Sequence, residues 1–503
     1  MLIAAGLAAR LTELRDVPYG IDSDQTRVLL VGRQALATGQ FRVYADESTR
    51  FEAMSSYLFA LSEKFFGDAR VLSFIFSFAD LVLLGWLLRR RGTSWEFTLG
   101  GVALLAASPF AIYYGRISGP CVGASTILLA FFLARARWSR TLWLTLGLFY
   151  YSILRLLWIY ELAAGVYRRD WKRAGAGVAA LVILLSVSAL VSDLGTDTQL
   201  RGGYNFHLSP EELGARVVDG IRIWMGPPSA RMWESNDSLV TDPVSSGFAW
   251  VLGSAPAMGV GFALLFLLAW IQFGQDLFTR TRAIGLREAV TELPSETKFF
   301  LISFFALMLS PTYSHALFLA PLAVYFVILA FVRVADSHFG VRVVVMIALV
   351  ISSWSGLVQS GRMWDHLRQP GQFDETFADR VRGIFEEHIL KEELRVTYYT
   401  PQHYDVARFW AAKSDGRVTA LPPFDPAVAV RSLELTAAGN SQVVYFDVQK
   451  LNTPWLDHPE AQAAFTMQDE IEQRMKRAAE VVDRSEIKVF GQVVARRYVI
   501  RFR

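Results

Sequence analysis

Two aspartates, Asp22 and Asp24, stand in the stretch YGIDSDQTRVLLVGRQALATGQF, just after a short apolar start. A carboxylate within hydrogen-bond reach of a hydroxyl or amine can take its proton as a new bond forms, so each is a candidate general base. The plain alternative is that Asp24 caps a helix starting at Ser23 and Asp22 is solvated, each contributing about 1 kcal/mol or less. Arg155 lies in the apolar stretch YYSILRLLWIYE. A guanidinium at membrane depth takes a partner or an anion, and its fork matches phosphate oxygens. Phosphate binding and a structural ion pair are both open to Arg155; Glu161, six residues on, is only a loose intrahelical partner. Asp80, in SFADLVLL, is a buried acid that either lines a cavity or makes a structural hydrogen bond.

The elements that must position these groups are membrane spans. Of 503 residues, 53% are hydrophobic and 13% aromatic, and mean hydropathy is positive. Apolar residues gather into runs of roughly 20, the length that crosses ~30 Å of hydrocarbon as a helix. The expected fold class is an α-helical polytopic membrane protein. About eleven spans are expected near 1–14, 70–88, 97–114, 120–134, 142–154, 155–167, 174–192, 247–272, 298–311, 315–333 and 341–359. The net charge of +3 says little, because the basic residues are placed topologically. Arg89-Arg90-Arg91, Arg135/Arg137/Arg140, Arg168-Arg169 with Lys172-Arg173, and Arg280/Arg282/Arg287 fall on alternate connections, which the positive-inside rule assigns to the cytoplasm. The N-terminus is then cytoplasmic, and residues 15–69, 193–246 and 360–503 lie outside. The stretch 142–167 is long for one span and short for two, yet both its flanking arginine clusters belong on one side. Two shallow helices meeting near Arg155 satisfy both, given a protein-lined or watery cavity at their tip.

The outer segments are not plain linkers. Val28, Leu29, Leu30, Leu36 and Phe41 predict a helix after Ser23-Asp24, and Phe51, Tyr57, Leu58, Leu61 and Phe65 a second, both interfacial. LSPEELGARVVDGIRIW predicts another, with Ser209, Pro210 and Glu212 as its start signals. From about residue 360 hydropathy falls. FADRVRGIFEEHI reads as helix, LRVTYY and QVVYFDV as strands, PEAQAAFTMQDEIEQRMKRAAEVVD as a long helix, and EIKVFG with VVARRYVIRF as a hairpin. A transmembrane part, 1–359, is thus expected to carry a C-terminal α/β domain, 360–503, of which roughly 130 residues form the small folded unit. One cysteine, Cys121, excludes an internal disulfide. No cleavable signal peptide is recognisable.

The order of these features, with ARVLSFIFSFADLVLLGWLLRRRG and then ASPFAIYYGRISGPC, resembles the glycosyltransferase C superfamily. These are multi-span enzymes that take sugars from polyprenyl-phosphate carriers on the outer face. The resemblance is closest to the protein mannosyltransferase and aminoarabinose transferase branch. It follows roughly residues 10–135 residue by residue, and the rest by architecture only. That branch carries an Asp-Glu pair about fifteen residues before a small-residue-Gly pair. Counting back from Thr38-Gly39 places its aspartate on Asp24, with Gln25 where the glutamate stands; a two-residue slip would place it on Asp22. The resemblance implies that Asp24 is the general base, or holds the acceptor, in an inverting single displacement.

The resemblance also implies roles further along. Arg116 keeps its place in RISGPC and would touch the carrier phosphate or sugar; an interfacial arginine snorkelling to headgroups is the alternative. SPTYSHALFLAPLAVY is similar to a late family segment that puts His315, with Tyr313 beside it, near the carrier phosphate, although a lone histidine at a span end also serves structure. Where the family has PPLYYW this chain has EAMSSYL, and Glu52 stands as a substitute polar contact. The family's second acidic residue aligns with Cys121. A thiol in place of a hard oxygen ligand argues against Mg²⁺ or Mn²⁺ held in that way. No cofactor is expected: the site is metal-independent, or activity has been lost.

Other chemistries find no support: there is no Gly-rich phosphate loop, no His-Glu-x-x-His and no nucleophile elbow. His403 reads as surface, and Asn236-Asp237-Ser238 is a formal glycosylation acceptor site. The expected function is transfer of a sugar from a polyprenyl-monophosphate donor to a glycan, lipid or protein acceptor at the outer face of the cell membrane, with no nucleic-acid partner. A lipid-linked-sugar transporter is one rival, although no internal repeat is visible. A non-catalytic assembly protein is the other.

Overall fold

Apolar runs set the helices, and arginines and glycines end them. A computed structural model describes residues 1–15, 23–41, 53–119, 121–190, 214, 217–218, 221, 224, 258–308, 317–335, 339–368, 379–401, 404–437, 440–448, 459–489 and 491–502. The chain divides into two compact units, Met1–Arg15 with Val28–Asp365, and Asp16–Arg27 with His366–Arg503. The helical part runs α1 (Leu2–Leu11), α2 (Ser23–Thr38), α3 (Met54–Phe66), α4 (Arg70–Arg90), α5 (Trp95–Ala107), α6 (Pro109–Tyr114), α7 (Ala124–Leu133), α8 (Arg137–Tyr150), α9 (Arg155–Tyr167), α10 (Trp171–Leu190), α11 (Val260–Ile284), α12 (Leu286–Glu292), α13 (Ser295–Met308), α14 (Ala320–Ala335) and α15 (Phe339–Leu367). This is the expected polytopic helical fold with a small C-terminal sheet domain. Where a span was expected at 247–272, the described helix begins at Val260 and continues to Ile284.

Among the described residues three helices, Arg70–Arg90, Val260–Ile284 and Phe339–Asp365, are long and apolar enough to cross a membrane. Each leaves a helical stripe of large apolar residues exposed, such as Val343, Ile347, Val350, Trp354 and Val358, the face that meets lipid. By contrast every residue of α7 is buried, and so are the nine residues Ala320–Ile328 of α14. These two helices are the centre of the bundle. The expected shallow pair is present: α8 and α9 are joined by a 3₁₀ turn at Ser152–Leu154. Both pack on α10, to which Trp158 Nε1 donates through Gly177 O at 2.8 Å.

Ion pairs gather the arginine-rich helix ends at one end of the bundle. Arg91 at the end of α4 pairs with Glu296 at the start of α13, and Arg90 donates to Leu133 O at the end of α7 at 2.9 Å. Glu161, 2% exposed, accepts from Arg140 at 3.1 Å and from Arg173 Nε at 2.6 Å. Tyr160 donates to Ser295 O at 3.1 Å. Asp276 of α11 pairs with Arg280 and with Arg333 of α14, and Arg342 of α15 with Glu96 of α5 at 3.2 Å. Glu161 therefore serves Arg140 of α8 and Arg173 of α10. The alternation of basic connections in the sequence is a physical clustering in space.

Close helix approaches use small residues. A Cβ on Gly6 of α1 would lie 2.3 Å from Ala106 O of α5. Gly6→Ala is expected to lower stability by about 1–3 kcal/mol, because backbone must move. Gly175→Ala, where nothing lies within 4 Å of the added carbon, should be neutral or slightly stabilising. Thermal unfolding of both variants in one detergent is the measurement.

The C-terminal part has α16 (Asp379–Glu387), β1 (Val396–Tyr399), α17 (Tyr404–Ala411), β2 (Val418–Leu421), α18 (Pro426–Ala437), β3 (Gln442–Asp447), α19 (Pro459–Ala478), β4 (Ala479–Val489) and β5 (Gln492–Phe502). The sheet order is β2-β1-β3-β5-β4. β1 lies parallel to β2 and β3, while β5 runs antiparallel to β3 and β4. Helices cover both faces, so β1 and β3 are buried at every residue. One face packs Tyr399, Phe446, Tyr498 and Ile500 on Leu433 of α18 and Met475 of α19. The other stacks Tyr398 edge-on against Phe385 of α16. The long helix expected over PEAQ…AEVVD ends at Ala478; AEVVD begins β4, where β-branched Val481 and Val482 favour strand and Val481 registers with Ile500. The strand β2 and helices α17 and α18 were absent from the sequence reading.

Glu392 ties this part together by accepting from Arg497 Nε at 2.6 Å and from Tyr445 at 2.8 Å. Burial pushes its pKa up, but the hydrogen bonds from Arg497 and Tyr445 outweigh burial and hold it below the ordinary 4.5. A carboxylate held low contributes stability above its unfolded pKa and loses that contribution as pH falls through its folded pKa. Acidification below about pH 4.5 is therefore expected to destabilise the wild type more than Glu392→Gln. Denaturant titrations across that range, comparing the two slopes, check it.

Candidate functional site

The first turn of α2 carries the leading candidate. Ser23 opens the helix and Asp24 is its second residue, as the start signal predicts. The side chain of Asp24, and all of Asp22, Glu52, Tyr313, His315 and His403, lie outside the described residues. The neighbours of Asp24 are described. Gln25, Thr26 and Val28 are fully buried. Arg27 Nε donates to Asp405 of α17 at 2.8 Å. Further along, Arg33 Nε bonds Glu63 of α3 at 2.7 Å, and a Cβ on Gly32 would lie 2.1 Å from Ser56 O. From Val28 onward the helix is thus held against α3.

Before it, the end of α1 is held by arginines. Helices of 10 and 13 residues, α1 and α5, are about 15 and 20 Å long, short of the ~30 Å of hydrocarbon. The last carbonyls of a helix have no intrahelical partner, and lipid supplies none. Arg10, fully buried, donates to Gly6 O, Ala106 O and Leu105 O and to Ser77 Oγ, closing the end of α5. Arg116, 1% exposed, donates to Ala9 O, Arg10 O and Glu13 O at 2.8–2.9 Å, closing the end of α1. Its guanidinium also lies 3.8 Å over the Trp364 ring. Arg70 donates to Leu14 O and Arg15 O at 3.3 Å. Both terminal nitrogens of Arg116 therefore serve main-chain carbonyls.

Asp80 lies below this knot. It accepts from Ser125 Oγ and from Thr126 Oγ1 at 2.6 Å. It lines a small cavity of about 20 Å³ with Ser77, Tyr114, Gly123 and Pro321, room for one water. Both expectations for Asp80, cavity lining and structural hydrogen bonds, hold together. Cys121 is buried in the turn before α7, where the next residue's carbonyl accepts from Tyr150. Arg155 opens α9 at the tip of the shallow pair and is half-buried. Among the described residues no group of three or more His, Cys, Asp or Glu side chains is arranged to hold a metal. The reading of the sequence missed Arg10 and Arg70, though an arginine four residues after a glycine in a short apolar helix was the available signal. It also missed the Arg27–Asp405 pair, which joins residues 378 apart.

No known protein family matches the sequence, and no curated protein matches it significantly. Solved structures do. The chain is similar to ArnT from Cupriavidus metallidurans in the apo state, with a TM-score of 0.53 and 12% identity over 99% of this chain and 97% of that one. It is similar to the same protein bound to undecaprenyl phosphate, with a TM-score of 0.54 and the same identity and coverage. The chain has that fold from end to end.

Proposed function

We propose that the chain is a membrane glycosyltransferase that moves a sugar from a polyprenyl-monophosphate carrier to an acceptor at the outer face. The observation that carries this reading is the whole-length likeness to ArnT, C-terminal domain included, in a structure bound to undecaprenyl phosphate. A transporter has no need of a C-terminal α/β domain or of a carboxylate at the start of an interfacial helix.

The reaction is a single displacement. The acceptor oxygen or nitrogen attacks the anomeric carbon and the bond to the carrier phosphate breaks. The electron pair leaves with the phosphate, and the acceptor proton passes to Asp24. Polyprenyl phosphate is a good leaving group, so activation falls on the acceptor, and inversion follows. Arg155, with His315 and Tyr313, meets the carrier phosphate, and Glu52 adds a polar contact to the substrate. Asp22 is the alternative base. In this reading the arginine-rich end of the bundle faces the cytoplasm, and the N-terminus lies there too. The α2–α3 segment and the C-terminal domain lie outside the inner membrane.

Purified protein in lipid nanodiscs, given a panel of undecaprenyl-phosphate-linked sugars with candidate acceptors, is expected to release undecaprenyl phosphate. Binding of the carrier without release would favour the non-catalytic rival.

A further inference from the structure

The unit boundary runs through α2: residues 16–27 group with the C-terminal part, while Val28 onward groups with the bundle. The contact on that short segment is specific. Arg27 Nε and Asp405 Oδ2 are 2.8 Å apart. Asp405 sits in the first turn of α17, a helix that directly follows the parallel strand β1. That helix is itself well anchored. Val406 and Ala407 are buried, and Trp410 takes Lys413 at 3.9 Å over its ring, with Arg382 of α16 at 5.8 Å. Arg27 lies three residues after Asp24, one turn along the same helix. On a helix, residues three apart share a face.

We propose that Arg27 and Asp405 are positioning residues, whose ion pair fixes the first turn of α2 to the C-terminal part and so sets where the Asp24 carboxylate stands. This rests on the reading of Asp24 as the base. The pair is partly exposed, 42% and 27% for the two side chains, so its contribution to global stability is small. Its effect on geometry is larger, because a base displaced by about 1 Å can lose about a hundredfold in rate. The C-terminal domain then takes part in the chemical step by holding the base, whatever it does for the acceptor.

The experiment uses the full chain in nanodiscs, with release of undecaprenyl phosphate from whichever undecaprenyl-phosphate-linked sugar the wild type accepts. Asp405→Asn is expected to lower kcat about 10–100-fold with KM within about twofold, and the melting temperature within about 2 °C. Arg27→Asp should do the same. The double variant Arg27→Asp with Asp405→Arg should recover to within about threefold of wild type. Arg474→Ala, which removes an exposed pair with Glu470 on α19, should leave kcat unchanged. Amide exchange over residues 23–30 should rise at least about threefold in Asp405→Asn and return in the double variant. Unchanged kcat in Asp405→Asn, or a double variant no better than either single one, overturns the proposal. If the wild type releases no carrier, the reading of Asp24 falls separately, and unchanged exchange in Asp405→Asn overturns the positioning role by itself.

Discussion

Asp24→Asn is expected to lower the rate of carrier release by about 10²–10⁴-fold, the usual contribution of a positioned general base. The substitution is nearly isosteric. Asparagine also serves at a helix start, so α2 should form as before with its buried Gln25, Thr26 and Val28 in place. The amide cannot accept the acceptor's proton. Affinity for undecaprenyl phosphate should stay within about twofold, because the carrier phosphate meets other groups in the proposed arrangement. Asp22→Asn separates the two aspartates: if it is the more damaging change, the base is Asp22. Single-turnover release, with thermal-shift binding of undecaprenyl phosphate alongside, makes the measurement. Full turnover in both variants would end the general-base proposal.

Arg10→Met should be the most destabilising single change in the helical part, by about 3 kcal/mol or more. Methionine keeps much of the volume but none of the donors. It would strip partners from Gly6 O, Leu105 O, Ala106 O and Ser77 Oγ in the buried interior. Each buried acceptor left without a donor costs about 1–3 kcal/mol, and partial rearrangement recovers some of that. Arg15→Met is the matching control. Its side chain reaches Phe66 O from an exposed position, and water replaces it. Thermal unfolding and the yield of monodisperse protein distinguish the two; equal stability would mean that the end of α5 finds other donors.

The spans were legible because period and length carry them directly: a mostly apolar run over 71–88 followed by Arg89-Arg90-Arg91-Gly92 allows little besides α4 and its end. The shallow pair was legible from charge alone, since Arg140 and Arg173 must share a side, and their shared partner Glu161 shows why. The hairpin of β4 and β5 was legible from alternation, but its first residues were absorbed into the preceding helix. AAEVVD continues a helical pattern, and only pairing with β5 decides otherwise. β2 and α17 were not legible, because four-residue strands and eight-residue helices carry too little periodicity. For the site, Ser23-Asp24 announced the helix start. The main-chain partners of Arg116 were not legible, because sequence gives position and not partners. Its partners are the carbonyls of α1, more than a hundred residues earlier.

The shallow pair has a consequence for the surrounding bilayer. Helices of 14 and 13 residues rise only about 20 Å, roughly 10 Å short of the hydrocarbon thickness. Lipids beside them must tilt, thin or yield their place, and such mismatch costs fractions of a kcal/mol for each ångström. A leaflet dimpled there would bring headgroups toward the turn at Ser152–Leu154 and the arginine that follows it. A long-chain lipid diffusing in the plane would find its easiest lateral doorway at that dimple.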